Sequence, residues 1–412
     1  MKYIVDGGVV LSQPLDGPLA SHIAGFARWA RAQGYARYSR YGKVLLAACL
    51  SRWRGQQPVG LRRVSSEHLV RYLRSRARRV QIQTGDATAL REFMSCLHGQ
   101  GAIPAEKITP GRLTPVEQEV LAFEHYLRHE RVLSSSTVVS YVPFIRAFLT
   151  RWFGRRPARL SRLCAGDIVQ YVQRQAPCLH LKRAKLLTTA LRSFLRYARY
   201  RGDIARDLAA AVPTVPHWSM TSIPRAISAD SVRRVLASIR RSTVTGRRDY
   251  AIVLLLARLG LRSSEVAFLE LDDIDWDAGQ VSIRGKGGQP AALPLPADVG
   301  KAIAAYLRYR CPRSTSRRVF LRTRAPIRGF LGRSAIGAVV KRALGRADVK
   351  APTQGTHHFR HALGTQMLRH GASLAEIGEV LRHRSPETTK IYTQVDLDRL
   401  RTLALPWPGG AR

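Results

Sequence analysis

Residues 355–371 read GTHHFRHALGTQMLRHG. Phe359, Leu363 and Met367 recur every four positions, the spacing that stacks side chains on one face of an α-helix, so this face is assigned to a core. That register leaves His357, Arg360 and His361 together on another face. Gly371 ends the helix. Ser373 and Glu376 then form the Ser-x-x-Glu box that opens a further helix, with Leu374, Ile377 and Leu381 as its buried stripe and His383 at its end. Ser385, Pro386 and Glu387 read as an N-cap with proline in the first turn, which places Tyr392 on another short helix. A tyrosine of ordinary pKa, roughly 10, attacks nothing at neutral pH unaided. The question is what the remaining chain brings to it.

Working back toward the N-terminus, DYAIVLLLARLGLR (249–262) is a largely buried helix stopped by Gly260, and SSEVAFLEL (263–271) is a second helix. QVSIRGKGGQPAALPLP (280–296) alternates around a glycine turn as a β-hairpin. Residues beyond 225 are therefore expected to form a mixed α+β domain with a small sheet. Two proline-bearing stretches, 103–115 and 212–224, read as linkers. The regions before and between them read as short helices, and they resemble each other. The segments 26–53 and 123–152 each open on Phe and close on Arg-Trp; LVRYL at 69 matches IVQYV at 168, TALREF at 88 matches TALRSF at 189, and GAI at 101 matches GDI at 202. An ordered series at nearly constant offset points to tandem duplication.

The 412 residues carry 68 Lys plus Arg against 28 Asp plus Glu, a formal charge of +40. Because the basic residues recur along the whole length, with arginine dominant, the expected partner is a polyanion, and nucleic acid is favoured over a membrane surface. No apolar run reaches the roughly 18 residues needed to span a bilayer. The opening residues carry an acid and glycines where a signal peptide needs an apolar core, so the cytoplasm is expected. Cys49, Cys96, Cys164, Cys178 and Cys311 lack a CxxC spacing and are expected to be reduced and mostly buried. Cys178 and His180 have no second ligand pair nearby, so no metal is assigned.

These residues resemble the catalytic domain of the tyrosine recombinases, also called phage integrases. The resemblance rests on Arg262 in LGLRSSE, Lys286 in RGKGG, His357 and Arg360 in HHFR, His383 in LRH and Tyr392 in KIYTQ. It covers about 225–400 strongly and 117–208 more weakly. It implies a multidomain chain: α-helical N-terminal domains, read as tandem SAM-like or core-binding-like bundles, followed by a mixed α+β catalytic domain. The boundaries are 1–105 for a helical DNA-binding or arm domain, 112–210 for the core-binding domain, 225–405 for the catalytic domain and 406–412 for the tail. It also implies roles. Tyr392 attacks a DNA phosphodiester, Arg262, Arg360 and His383 stabilise the charge that builds on the phosphoryl oxygens, Lys286 protonates the leaving 5′ oxygen, and His357 assists proton transfer at the tyrosine. The product is a 3′-phosphotyrosyl intermediate, reversed by another strand's hydroxyl without ATP, metal or cofactor. The implied partners are double-stranded DNA with specific recombination sites and a homotetramer holding two duplexes. The family usually has glycine before the second histidine, where this chain has Arg382, and often a second basic residue where the hairpin reads GGQPAA.

Three other functions compete. A metal-dependent nuclease or transposase would use Asp272, Asp273, Asp275 and Asp277 in LDDIDWDAG as ligands, although such acids are routine in turns. A DNA-binding regulator would keep the fold without cleaving. A type IB topoisomerase would relax DNA alone. The tail spaces Leu397, Leu400, Leu403 and Trp407 as an apolar stripe, suited by the resemblance to docking in a neighbouring subunit. The first helical copy carries Arg52, Arg54, Arg62, Arg63, Arg71, Arg74, Arg76, Arg78 and Arg79 as candidate phosphate contacts.

Overall fold

The structure, a computed structural model, describes residues 3–5, 8–56, 64–104, 113–216, 227–285, 290–310, 314–351, 355–383, 385–390 and 392. Lys286, Cys311, Arg62, Arg63, the tail stripe from Leu397 to Trp407 and most of both linkers lie outside the described residues. The chain divides into two compact units, one of Met1–Lys107 with Ser222–Arg412 and the other of Ile108–Thr221.

The first unit opens with an antiparallel pair, β1 (Tyr3–Val5) and β2 (Val9–Leu11), in which Tyr3 faces Leu11. The sequence reading had only helices here, yet apolar runs flanking Asp-Gly-Gly are a hairpin signal. Four helices follow: α1 (Ala20–Ala32), α2 (Arg37–Gly55), α3 (Ser66–Ala77) and α4 (Asp86–Gly99). The second unit holds α5 (Pro115–His129), α6 (Ser135–Phe153), α7 (Ala165–Gln175) and α8 (Leu181–Tyr200). Thr114 caps α5 by accepting from Glu117 N–H at 3.2 Å, with Pro115 in the first turn.

Matched positions of the two bundles occupy matched places. Phe26 on α1 packs on Phe93 of α4 with ring centroids 5.0 Å apart, and Phe123 on α5 packs on Phe194 of α8 at 5.3 Å. Tyr72 and Tyr171 are both buried, as are Ile103 and Ile204. Each bundle thus closes its core with the same aromatic pair between its first and fourth helices. Of the basic residues in the first bundle, Arg71, Arg74, Arg78 and Arg79 are exposed. Arg54 is buried at 1% exposure, inside the apolar face of α2, and is withdrawn as a phosphate contact.

The remaining helices and sheet of the first unit begin with α9 (Ala229–Ala237) and α10 (Val244–Leu259), followed by α11 (Ser263–Phe268). As the sequence implies, α10 is buried nearly all round from Ala251 to Leu256 and stops at Gly260. The helix expected to run to 271 ends earlier, at Phe268. Beyond it the backbone pairs across the chain: Val319 N–H donates to Leu269 O at 2.8 Å and Leu271 N–H to Arg317 O at 2.9 Å. The sheet is β3 (Ile274–Asp275), β4 (Gln280–Arg284) and β5 (Pro290–Pro294) in that order, antiparallel, with Val281 facing Leu293 and Arg284 facing Pro290. Val281 and Ile283 point into the core and their neighbours point out. The chain continues through α12 (Ala297–Leu307), α13 (Arg333–Arg346), α14 (His357–Arg369), α15 (Leu374–Leu381) and α16 (Pro386–Thr389). Phe359 joins the main core with Ile252, Leu255, Val266, Ile303 and Val340.

The turn between α1 and α2 meets the segment before α13. Ile327 N–H donates to Gln33 O at 3.0 Å, and Gly34, at φ 81°, lies so close that a Cβ there would stand 2.5 Å from Ile327 Cδ1. The left-handed backbone favours glycine at 34, and any larger residue would also have to displace the end of the Ile327 side chain.

One smaller expectation is corrected. Cys164 and Cys178 are exposed and Cys49 and Cys96 half-buried, because Cys164 caps α7 and Cys178 sits in the turn after it. The short helix expected to carry Tyr392 is present: α16 is a single α-helical turn ending at Thr389, and Lys390 and Tyr392 follow it in the tighter 3₁₀ conformation.

Candidate active site

Where α10 stops, two arginines are placed. Gly260 adopts the left-handed conformation at φ 57°, and a Cβ there would approach Leu381 to 2.7 Å and Leu363 to 3.1 Å. Its carbonyl accepts from Arg360 Nη1 at 2.7 Å. Arg262 takes the N-cap position of α11 with extended backbone, φ −77° and ψ 152°. Its backbone N–H donates to Glu265 Oε2 and its Nη1 to Glu265 Oε1, both at 2.8 Å, while Nη2 donates to the Arg382 carbonyl at 3.0 Å. The Glu265 side chain is 2% exposed.

Arg360 is buried, and its Nη2 has no hydrogen-bond partner among the described residues. Burial, followed by the charges of Arg262 and Arg382, lowers its pKa to about 10. A guanidinium so placed is short of negative charge, and an anion would relieve it.

The imidazoles stand beside these groups. His383 follows α15 with its N–H held by Gly378 O at 2.8 Å and its Nδ1 2.8 Å from Thr389 Oγ1. Burial, then Arg360 and Arg262, holds its pKa down to about 4, so the ring is neutral at pH 7. His357 is the exposed first residue of α14, and its ring lies 5.8 Å from that of His361. His361 in turn stands 5.8 Å from the Tyr392 ring, edge to face. Burial, then His357, His358 and Arg360, lowers the His361 pKa to about 4.

Tyr392 is 1% exposed, in a small cluster with Leu368, Ile377 and Leu381. Its ring lies parallel to His383, 7° between planes and 6.2 Å between centroids. The hydroxyl has no hydrogen-bond partner among the described residues. Burial lifts the phenol to about 12, against an opposing pull from Arg360.

Five of the six residues chosen from the sequence therefore fall in one neighbourhood: Arg262, His357, Arg360, His383 and Tyr392. Lys286 lies outside the described residues. Sequence reasoning missed Glu265 and Gly364. The first was legible as an acid three residues after Arg262 at a helix start, the second as a glycine inside a helical pattern. Of the four aspartates considered as metal ligands, Asp273 and Asp275 hold turns and Asp272 pairs with an arginine. Asp272 pairs with Arg317 at 3.0 Å, Asp273 Oδ2 accepts from Glu270 N–H at 2.8 Å, and Asp275 Oδ1 accepts from Asp277 and Ala278 N–H groups. Two arginine forks, neutral imidazoles and a phenol make a site able to hold an oxyanion and present an oxygen nucleophile to it.

Residues 225–399 match the family model described as the phage integrase family, and residues 120–202 match that of the phage integrase N-terminal SAM-like domain. The chain is 54% identical over 412 residues to a Sinorhizobium fredii protein named as an integrase/recombinase, y4rA, covering 100% of both chains. It is 31% identical over 281 residues to the tyrosine recombinase XerA of Thermococcus kodakarensis, covering 68% of this chain and 91% of that relative. The fold is similar to that of the XerH site-specific recombinase in a post-cleavage complex with its difH substrate, with TM-score 0.57, 19% identity and coverage of 71% and 97%. It is likewise similar to lambda integrase, solved as a tetramer on a Holliday junction, with TM-score 0.52, 16% identity and coverage of 73% and 86%.

Proposed function

The chain belongs to the phage integrase family of tyrosine recombinases, and from that premise we propose that Tyr392 is the nucleophile with which it cuts and rejoins DNA at specific sites. The observation that carries this reading is the gathering of Tyr392, His383, Arg360 and Arg262 from three separate stretches of chain into one site.

In the proposed reaction the Tyr392 oxygen attacks the phosphorus of a phosphodiester and the bond to the 5′ oxygen breaks. The phenolic proton leaves with assistance from His357, and Lys286 protonates the departing 5′ oxygen. Arg262, Arg360 and His383 hold the non-bridging oxygens as their charge builds. The 3′-phosphotyrosine conserves the phosphodiester bond energy, so a second strand's 5′ hydroxyl reverses the attack and joins the strands. The balance needs no ATP and no metal. Attack requires Tyr392 to leave its buried seat, where a pKa of about 12 keeps the phenol unreactive.

The partners are double-stranded DNA carrying the recombination sites and further copies of this chain, assembled as a tetramer on two duplexes. The first bundle is proposed as a second copy of the core-binding domain, lengthening the DNA contact. Integration, excision or transposition of a mobile element, in the cytoplasm, is the proposed setting. Among the described residues no helix is long and apolar enough to cross a membrane. Joining of strands between two separate duplexes tests recombination: a chain that only nicks and reseals one duplex behaves as a topoisomerase and contradicts the proposal.

A further inference from the structure

Arg382 occupies a position that a glycine would fill with less strain. It caps α15 in the left-handed region, at φ 52° and ψ 54°, which costs any residue with a Cβ. The main chain at this position donates its N–H to Glu379 O at 2.9 Å and accepts from Arg262 Nη2 at 3.0 Å, work that needs no side chain. What arginine adds is a side chain, and that side chain is turned inward at 12% exposure.

Its Nη2 donates to Glu265 Oε2 at 2.8 Å. The same oxygen accepts from the Arg262 backbone N–H, and the other carboxylate oxygen accepts from Arg262 Nη1. A closed ring results. Arg262 binds the Arg382 main chain, Arg382 binds Glu265, and Glu265 binds both the main chain and the fork of Arg262. The ring ties the start of α11 to the end of α15, with His383 as the next residue along.

Two guanidiniums, those of Arg262 and Arg382, share this one buried carboxylate. Without Arg382, Glu265 would be neutralised by Arg262 alone and would draw its fork inward. Sharing the carboxylate fixes the Arg262 fork while leaving it charge for an incoming anion. Arg382 Nε and Nη1 have no hydrogen-bond partner among the described residues, so Glu265 is the polar contact that the buried fork makes there.

We infer that Arg382 is a positioning residue, which through Glu265 and its own carbonyl sets the Arg262 fork against the scissile phosphate. The inference rests on the reading of Arg262 as a phosphate-binding group. It also accounts for how this chain accommodates an arginine where the resemblance leads one to expect glycine.

The test is single-turnover cleavage of a nicked duplex at saturating protein, by the full-length wild type, Arg382→Gly, Arg382→Lys, Arg262→Ala and the Arg262→Ala/Arg382→Gly double variant. Arg382→Gly suits the left-handed backbone but removes one partner of the buried Glu265, so melting temperatures are measured for every variant and cleavage is compared well below the lowest of them. Its cleavage rate should fall roughly 10- to 100-fold with DNA affinity unchanged, and by less than about 3-fold in the Arg262→Ala background, the non-additivity of residues acting through one another. Arg382→Lys, which keeps the charge on Glu265, should recover part of the rate. Equal slowing in both backgrounds, no slowing, or loss confined to affinity overturns the inference. A wild type that forms no covalent adduct strikes the underlying assignment first, and the inference falls with it.

Discussion

Gly364 leaves no room for a side chain beneath Tyr392: a Cβ at that position would stand 2.6 Å from Tyr392 Cζ and 2.8 Å from Cε1. The buried seat of the phenol is thus cut into α14 by the absence of a single methyl group. Gly364→Ala should expel the ring, since helix propensity favours alanine and the clash is with the ring alone. The phenol pKa should then fall from about 12 toward the ordinary value near 10. Ultraviolet titration of Gly364→Ala, with Gly364→Ala/Tyr392→Phe subtracted, reads this directly. An unmoved titration would place the ring elsewhere.

The two half-buried imidazoles predict how stability responds to acid. His361 and His383 are each held down to about 4 in the folded chain, against roughly 6.5 when unfolded. Between those values the unfolded chain binds the additional protons, so stability is full above about pH 6.5 and declines as pH falls toward 4. Urea midpoints should drop between pH 7 and pH 5. The drop should shrink in His361→Gln/His383→Gln, and a variant that loses stability as steeply as the wild type would remove these residues from the acid response.

Lys286 is tested by its leaving group. If it protonates the 5′ oxygen, Lys286→Ala should slow cleavage of ordinary DNA by about 10²- to 10⁴-fold. It should slow far less on a substrate whose 5′ bridging atom departs without a proton. Equal slowing on both substrates counts against the acid role.

Arg71, Arg74, Arg78 and Arg79 are exposed on the first bundle, at and just beyond α3. Replacing all four with glutamine should leave cleavage of a minimal site intact while shortening the footprint on a long one. The dependence of log affinity on log salt should become shallower by up to about 3.6, since each phosphate contact contributes roughly 0.9. An unchanged slope with lost assembly on paired sites would assign the bundle to protein contacts instead.

The legible parts of this molecule are those governed by local patterns. The Ser373–Glu376 box and the glycine stop of α10 each depend on neighbours within a turn or two, and each appears where the sequence put it, whereas of the period-four residues of α14 Phe359 is buried in the core and Leu363 and Met367 are half-buried against the small cluster around Tyr392. The hairpin was legible for the same reason, through alternation. The illegible parts depend on distant partners. α11 ends early because residues 269 and 271 pair with 317–319, and nothing near Leu269 in the sequence announces that. Arg54 looks like one more basic residue until the packing of the first bundle buries it. Arg382 was visible only as a departure from a pattern; its engagement with Glu265, 117 positions earlier, is a property of the fold.

The central claim is that Tyr392 becomes covalently joined to DNA, and the most direct measurement is recovery of that adduct. Wild type and Tyr392→Phe would be incubated with nicked duplexes drawn from the DNA flanking the gene, denatured, digested and analysed by mass spectrometry. Wild type should yield an adduct in which the peptide containing Tyr392 carries a 3′-linked nucleotide, and Tyr392→Phe should bind the same DNA without forming one. An adduct on any other residue, or one that persists in Tyr392→Phe, would contradict it.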